Sequence, residues 1–441
     1  MRMLRYAGVW LLVLVMGVWA GEYDLSRILE LAEQNNRELQ LARQDLKFAS
    51  AQKLEAYSTA LPKINVQLGY NRNFLQDFFF FTTRDTATGQ ERTTRFSFTF
   101  RNEFQMRATL NQTLYSFGKV GNAIKGAGDF SRMTRFQFEA KRQEVMANTM
   151  KAFYRALLLE RVWEVARASE QNALENYQLV KTRYESGSAS EFEMLQAEVR
   201  YENARPQTMQ AYRDYQLALN SLKIQVGLPL DEPVHLVGSL QNAPPMPDSL
   251  PADSVLNRRP DYLALQWERQ LWKRNVGVQK SNLLPTLLGT LTYTSGARSD
   301  RFRLDNRTSN IVLGINLQIP IFNGANTIAQ IQKAKVDLRR AETRLRITED
   351  NIRLSLQNAL LKLREAQRRV EAARKSVATA QRALEIAQSR AANGLATQLE
   401  LKDSQLFLDQ ARVNFYSAMF DYLDAYIDWQ LATGQVRPIQ S

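Results

Sequence analysis

The chain has 441 residues, and not one is cysteine; histidine occurs once, at His235. The first absence excludes disulfides, thiol catalysis and a lipid-anchored cysteine near the N-terminus. The second excludes serine-protease triads, two-histidine metal helices and zinc sites built from Cys or His pairs. No enzyme chemistry is expected beyond what carboxylates support, and no cofactor or metal site. Long apolar runs are also missing. Only Ala7 to Trp19 is almost wholly apolar, preceded by Arg2 and Arg5 and closing as Val18-Trp19-Ala20 before Gly21. That pattern reads as a secretory signal peptide over residues 1–20, cut after Ala20 and too short to span a bilayer as a helix. A mature chain of this composition meets a membrane only as a β-barrel.

The formal charge is +13, or +11 without Arg2 and Arg5. Lys and Arg alternate with Glu and Asp along helical stretches such as Lys335-Val-Asp-Leu-Arg-Arg-Ala-Glu-Thr-Arg. That is a solvated helix face rather than a nucleic-acid stripe, so no nucleic-acid partner is expected.

What the chain does contain, it contains twice. Arg183 to Arg205 and Arg390 to Arg412 share Arg, Gly, Ala, Glu, Ala and Arg at the pairs 183/390, 187/394, 189/396, 193/400, 204/411 and 205/412, a constant offset of 207. Each copy joins two helical patterns through a glycine suited to positive φ. Each then restarts a helix with Ser190 or Thr397 as N-cap and Glu193 or Glu400 three residues later. Each is the tip of a helical hairpin, and the chain is a tandem repeat.

In chain order, helical spacing runs from Leu25 to Ala60 with a break at Asn35-Asn36, and Leu61-Pro62 ends it. The period then becomes two. Ile64, Val66, Leu68 and Tyr70, and later Phe104, Met106, Ala108 and Leu110, alternate with polar residues, which predicts strands near 63–73 and 103–117. Between them a long loop, roughly 71–102, carries Phe78-Phe-Phe-Phe81, Phe96, Phe98 and Phe100. Its aromatics fit either an interfacial girdle or the upper ends of extended strands. From Lys119 to Glu185 a helical pattern runs without proline for about 100 Å. The glycines of Gly118 to Gly128 lack the Lys-Ser/Thr of a phosphate loop and read as a strand-to-helix bend. A return helix follows from Ser190 to Val226, with Pro206 expected to kink it.

An irregular, Pro-rich segment then holds a short strand candidate at Val234–Val237. The program repeats with a helix from 261, strands near 286–294 and 310–320, a second long helix over 325–392, and a second return helix ending at Gly434. The expected division is therefore a signal peptide over 1–20, a first repeat over 21–227 with tip 183–193, an irregular segment over 228–260, a second repeat over 261–434 with tip 390–403, and a tail over 435–441. The fold class is mainly α with transmembrane β. Four strands cannot close a barrel, and the hairpins cannot bury their own stripes, so more than one copy is required.

Asn35-Asn36-Arg-Glu-Leu, Leu61-Pro62, Leu284-Pro285, Gln112-Thr-Leu-Tyr-Ser-Phe-Gly118, Gln318-Ile-Pro-Ile-Phe-Asn-Gly324, Arg259-Pro-Asp261 and the two tips together resemble the TolC-type outer-membrane efflux proteins, from about Leu25 to Gly434. The resemblance implies a homotrimer with a twelve-stranded barrel in outer-membrane lipid, continued by an α-barrel through the periplasm. It implies an exit duct for a tripartite pump, with a periplasmic adaptor and, through it or at the tips, an inner-membrane transporter as partners. It also implies adaptor docking at the tips through Arg183, Gly187, Ser190, Arg390, Gly394 and Thr397, and a periplasmic gate lined by Asp403 and Glu400, with Glu193 on the first tip. Glu193 and Glu400 serve equally as capping residues. The strands would turn Phe104, Met106, Leu110, Ile311, Leu313, Ile315 and Leu317 toward lipid. The long Phe-rich loop and Pro206 depart from the family pattern. The competing reading is a structural or adhesive trimeric coiled-coil envelope protein without transport activity.

Overall fold

A computed structural model of the chain describes residues 21–439 except Ser249, Asp305, Gly394 and Ala396. The signal-peptide expectation, Gly394 and the end of the tail lie outside the described residues. In chain order the elements are β1 (Gly21–Tyr23), α1 (Leu25–Asn35), α2 (Arg37–Ser58), β2 (Lys63–Arg72), β3 (Phe79–Arg84), β4 (Glu91–Phe96), β5 (Asn102–Tyr115), α3 (Lys119–Glu185), α4 (Glu191–Val226), β6 (Val234–Leu236), α5 (Ala252–Leu256), α6 (Pro260–Ser281), β7 (Thr286–Ser299), β8 (Arg307–Gln318), α7 (Asn326–Ala392) and α8 (Gln398–Thr433). None of the described helices is long and apolar enough to cross a membrane.

The repeat is kept in the element bounds. α3 and α7 each have 67 residues, α4 and α8 each have 36, and both pairs start 207 positions apart. The return helices end on Gly227 and Gly434 at φ 73° and 70°. The strand-to-helix bends use the matched pairs Phe117-Gly118 and Gly324-Ala325, all four at positive φ. That bend is why β5 and β8 stop at Tyr115 and Gln318, two residues short of the expected ends.

Two compact units divide the chain, and they are not the two repeats; each takes parts of both. The first gathers residues up to 42, 138–260 and from 350 onward. Its core joins Ile28 and Leu29 of α1, Met150 and Phe153 of α3, Leu219 and Leu222 of α4, Leu363 of α7, and Met419, Tyr422 and Leu423 of α8. β1 and β6 pair in parallel, with Glu22 opposite His235, which places the one histidine in a packing strand.

Two polar anchors, Asn36 and Arg259, fix the helix ends of this unit. Asn36 breaks α1 from α2 because its side-chain oxygen accepts from the Glu38 and Leu39 amides while its Nδ2 donates to the Gln225 carbonyl at 2.8 Å. In the second repeat Arg259 donates Nη1 to the Ala432 carbonyl at 3.1 Å, and 432 is 225 plus 207. Different side chains thus satisfy the same orphan helix-end carbonyl in each half. A Cβ at Gly227 would lie 2.8 Å from Cβ of Asn35, and one at Gly434 would lie 3.1 Å from the Arg258 carbonyl oxygen. Positive φ and close approach both demand glycine there. Pro206 lies inside α4 and removes one intrahelical donor without ending the helix.

The second unit, residues 43–137 and 261–349, holds an antiparallel sheet in the order β2-β5-β7-β8. Register puts Ile64, Val66, Leu68 and Tyr70 opposite Leu110, Ala108, Met106 and Phe104, and continues through Leu291 and Tyr293 to Leu313 and Ile311. Directly opposed residues share a face, so one side of the sheet is an apolar band across all four strands. The other side carries Lys63, Asn65, Gln67, Asn111, Thr109, Arg107, Thr290, Thr292 and Asn310. Both outer strands, β2 and β8, keep an edge with no partner among the described residues.

Two strand expectations need correction. β7 continues to Ser299 rather than stopping near 294, because the polar stretch Ser295-Gly-Ala-Arg-Ser299 pairs residue by residue with Met106 to Asn102. The loop expected over 71–102 is not structureless. It holds a two-stranded hairpin in which β3 pairs with β4 around a turn at Asp85 to Gln90, with Gly89 at φ 70°. Phe79, Phe80, Phe81 and Phe96 are strand residues, and Phe78, Phe98 and Phe100 flank the strands.

Candidate functional site

The helical hairpin tips are built from the residue spacing that defines the repeat. At the first tip α3 closes on Gly187 at φ 74°, and the Ser188 amide donates to the Arg183 carbonyl at 2.7 Å. The hydroxyls of Ser186 and Ser188 donate to the same carbonyl. At the second tip the Leu395 amide donates to the Arg390 carbonyl at 2.8 Å, the same bond moved by 207 residues. Here the guanidinium also takes part, since Nη2 of Arg390 donates to the Leu395 carbonyl at 3.0 Å. A Cβ at Gly187 would meet nothing within 4 Å, so this glycine is there for its φ and leaves the tip surface open.

Both return helices begin with complete capping boxes. The Ser190 amide donates to Oε2 of Glu193 at 2.9 Å, and the Glu193 amide returns a bond to the Ser190 hydroxyl oxygen at 3.3 Å. The corresponding Thr397–Glu400 distances are 3.1 and 3.2 Å. Hydrogen bonds from the Ser190 amide and hydroxyl, with Arg183 and Lys402 nearby, hold the Glu193 carboxyl below the usual carboxylate range. Both glutamates therefore have backbone duties. Asp403, one turn beyond Glu400, is exposed and has no hydrogen-bond or ion-pair partner among the described residues.

Near the tips α3, α4 and α8 line an open cleft of about 270 Å³ that carries Asn172, Asn176, Arg200, Lys402, Asp403 and Asp409. Burial and the like charge of Arg200 lower the Lys402 ammonium, against the pull of Glu193. Asp409 is buried, with one carboxylate oxygen unpartnered among the described residues, and burial raises its pKa. The structure thus joins Glu193, Lys402 and Arg183 electrostatically and places Asp403 on the cleft rim.

Lys402, Arg200 and Asp409 were absent from the sequence-derived site. A signal for Asp409 existed. Glu202 and Arg205 recur as Asp409 and Arg412 at the 207 offset. In the first copy they form an exposed ion pair at 3.1 Å. In the second, Arg412 reaches Gln381 instead, and the acid is buried.

An apolar-banded sheet with edges unpaired among the described residues, continued in sequence by two 67-residue helices, defines a membrane-barrel and helical-hairpin class of envelope protein. Residues 28–228 and 252–435 match the model of the outer membrane efflux protein family, and the chain belongs to that family, whose place is the outer membrane. It is 26% identical over 231 residues to the alkaline protease secretion protein AprF of Pseudomonas aeruginosa, covering 51% of this chain and 48% of that protein. It is 23% identical over 322 residues to the probable outer membrane lipoprotein SilC of Salmonella typhimurium, covering 71% of this chain and 64% of that protein. The chain thus spans between about half and just under two thirds of these relatives' lengths. The fold matches the outer membrane channel CmeC of Campylobacter jejuni with a TM-score of 0.77 and 21% identity, over 93% of this chain and 85% of that one. It also matches the open-state channel MtrE of Neisseria gonorrhoeae with a TM-score of 0.76 and 18% identity, over 93% and 89%.

Proposed function

We propose that the protein is the outer-membrane exit duct of a tripartite efflux or secretion system. The observation that carries this reading is the apolar band running in register across a sheet whose two outer strands each keep one edge without a partner among the described residues. Such a sheet has an apolar side for lipid, a hydrophilic side for a lumen, and edges that only further copies of itself can close. Three copies give twelve strands, enough for an open barrel, and the same assembly buries the stripes of the helical hairpins in an α-barrel. The repeats over 21–227 and 261–434, joined by 228–260, are then the quasi-equivalent halves of each subunit.

In this reading the protein conducts rather than catalyses. A periplasmic adaptor docks at the tips, around Arg183, Gly187, Ser190, Arg390, Gly394 and Thr397, and an inner-membrane transporter feeds the duct through it. Asp403, with Glu400 and Glu193, lines the closed periplasmic end. The secretion role of AprF and the outer-membrane location of SilC agree with this placement. Detergent-extracted protein should run as a trimer and give discrete single-channel conductance in planar bilayers. A stable assembly that never conducts would favour the adhesive coiled-coil alternative.

A further inference from the structure

The β3–β4 hairpin has a composition that changes along its length instead of between its faces. Its three base rungs pair Phe79 with Phe96, Phe80 with Arg95 and Phe81 with Thr94. The three rungs toward the turn pair Thr82 with Thr93, Thr83 with Arg92 and Arg84 with Glu91, and contain no apolar residue. Successive residues of a strand point to opposite sides, so Phe79 and Phe81 lie on one face and Phe80 on the other. A protein-docking surface concentrates apolar groups on one face. A layered solvent selects them by height on both.

The rings at this height are open. Phe79, Phe80, Phe81 and Phe98 are between 54% and 70% exposed. Ring contacts link Phe79 to Phe98 at 5.8 Å and Phe81 to Phe96 at 6.4 Å between ring centres. Arg95 lies over the Phe78 ring at 3.1 Å, a cation held at the aromatic level. The aromatic half of the hairpin is about 10 Å tall at ~3.4 Å per residue. That is comparable to the depth to which interfacial amphipathic helices bury their apolar face at the headgroup–acyl boundary, roughly 5–10 Å.

The hairpin is also continuous with the apolar band. Oδ1 of Asp300, in the β7–β8 connection, accepts from Nε2 of Gln76 and from the Arg101 amide, tying both legs of the loop to the end of the sheet. At that end Tyr70, Phe104 and Phe302 form a three-ring cluster with centres 4.9 to 5.5 Å apart. We propose that the base of the hairpin is embedded at the apolar–headgroup boundary of the outer leaflet. Lipid covers Phe79, Phe80, Phe81, Phe96 and Phe98, Arg95 sits at headgroup level, and the Thr- and Arg-rich half projects into water. The proposal rests on the reading of the four-stranded sheet as membrane-inserted.

The absence of cysteine makes the test direct, because any introduced thiol is the sole label site. Phe80→Cys, Thr86→Cys and Leu313→Cys would each carry an environment-sensitive fluorophore in the full-length assembly, reconstituted in phosphatidylcholine–phosphatidylglycerol vesicles. Each would be titrated with brominated phospholipid and with aqueous iodide. The expected result is lipid quenching at position 80 as strong as at 313 and several-fold stronger than at 86, with iodide acting chiefly on 86. Phe98→Cys is a second base-level probe if Phe80→Cys fails to assemble. Iodide quenching at 80 equal to that at 86, with 313 still lipid-quenched, would put the hairpin in water and overturn the proposal alone. Shielding of 80 from both quenchers would mean a second copy covers the rings, which also overturns it. Loss of lipid quenching at 313 would overturn the inserted-sheet reading itself.

Discussion

Gln405 donates its side-chain amide to Oδ1 of Asp409 at 3.1 Å, while Oδ2 of the same carboxylate is buried without a partner in hydrogen-bond geometry among the described residues. Burial disfavours the charged form and raises the pKa; Gln405, Arg412 and Ser169 pull the other way without offsetting it. The titratable or charged groups around it are Lys402, Asp403 and Arg412 on its own helix and Arg200 on α4, while α3 contributes only neutral Ser169, Asn172 and Asn176 to the cleft.

The sign of the pH effect follows. A carboxyl whose folded pKa lies above its unfolded value binds more protons when folded in the window between the two. Packing of α8 on α3 and α4 is therefore firmest under acid and weakens as pH rises through that window, and stays weaker above it. Asp409→Asn removes the charge but keeps the size. It should raise hydrogen-exchange protection of α8 around 402–412 at neutral pH, because the buried side chain no longer has to carry a charge. It should also flatten the pH dependence there. Protection that keeps the wild-type pH profile would sink this account.

Gly227→Ala and Gly434→Ala form a matched pair. Each forces a side chain into positive φ and against Asn35 or the Arg258–Arg259 backbone, so each should cost of order 1–3 kcal/mol. Asn36→Ala and Arg259→Ala should both expose the problem these glycines border, by orphaning the Gln225 or Ala432 carbonyl. Thermal unfolding of the detergent-solubilised protein checks all four. Wild-type melting by either glycine variant would mean the close approach relaxes freely.

Those anchors also show how much of the fold was legible. The 207 offset in a few tip residues located both hairpins, and α3 and its return helix have the expected bounds, because capping boxes and positive-φ glycines are local chemistry. The β3–β4 hairpin was hidden because Phe78 to Phe81 breaks the alternation by which strands are recognised. Ser295 to Ser299 was hidden because its strand character comes from pairing with β5 and not from its own composition. Asp409 shares its sequence signal with Glu202, and only packing makes one buried and the other exposed. The tip residues were legible as turn builders; which of them meet a lumen or a partner depends on copies of the chain that one sequence does not arrange.

The lipid-facing assignment has a direct test at Leu313, which opposes Leu291 near the middle of β7–β8 and is exposed on the apolar band. Arginine there should destabilise the assembled barrel by about 2–4 kcal/mol if the position is near the bilayer midplane. Arginine at Asn310, on the hydrophilic side, should have little effect. Equal heat stability of the Leu313→Arg and Asn310→Arg assemblies would contradict the orientation.

For adaptor docking the two tip arginines differ. Arg390 has its guanidinium on the Leu395 carbonyl, so its replacement disturbs the turn, whereas Arg183 is exposed beside Glu193. Arg183→Glu should therefore abolish export and adaptor cross-linking with the assembly and its melting unchanged. The Arg183→Glu, Arg390→Glu double variant should do the same with some added loss of stability. Full export by the double variant would leave these residues as turn builders only.

The gate prediction turns on the different states of two neighbouring acids. Glu400 has Oε2 on the Thr397 amide, and Asp403, one turn on, is exposed and unpaired among the described residues. Residues three apart share a helix face, so assembly about an axis multiplies that face into a ring of carboxylates. A ring of like charge in a constriction attracts multivalent cations and slows their passage. In planar bilayers a trivalent cation added from the tip side should lower wild-type conductance. Asp403→Asn should remove most of that block with no change in stability, because no capping bond is lost. Glu400→Gln should keep part of the block and its helix, since glutamine at this position still closes a capping box. Glu400→Ala, by contrast, should cost about 1 kcal/mol of tip stability. If Asp403→Asn combined with Glu400→Gln is blocked as strongly as the wild type, the charge that holds the cation lies elsewhere in the duct.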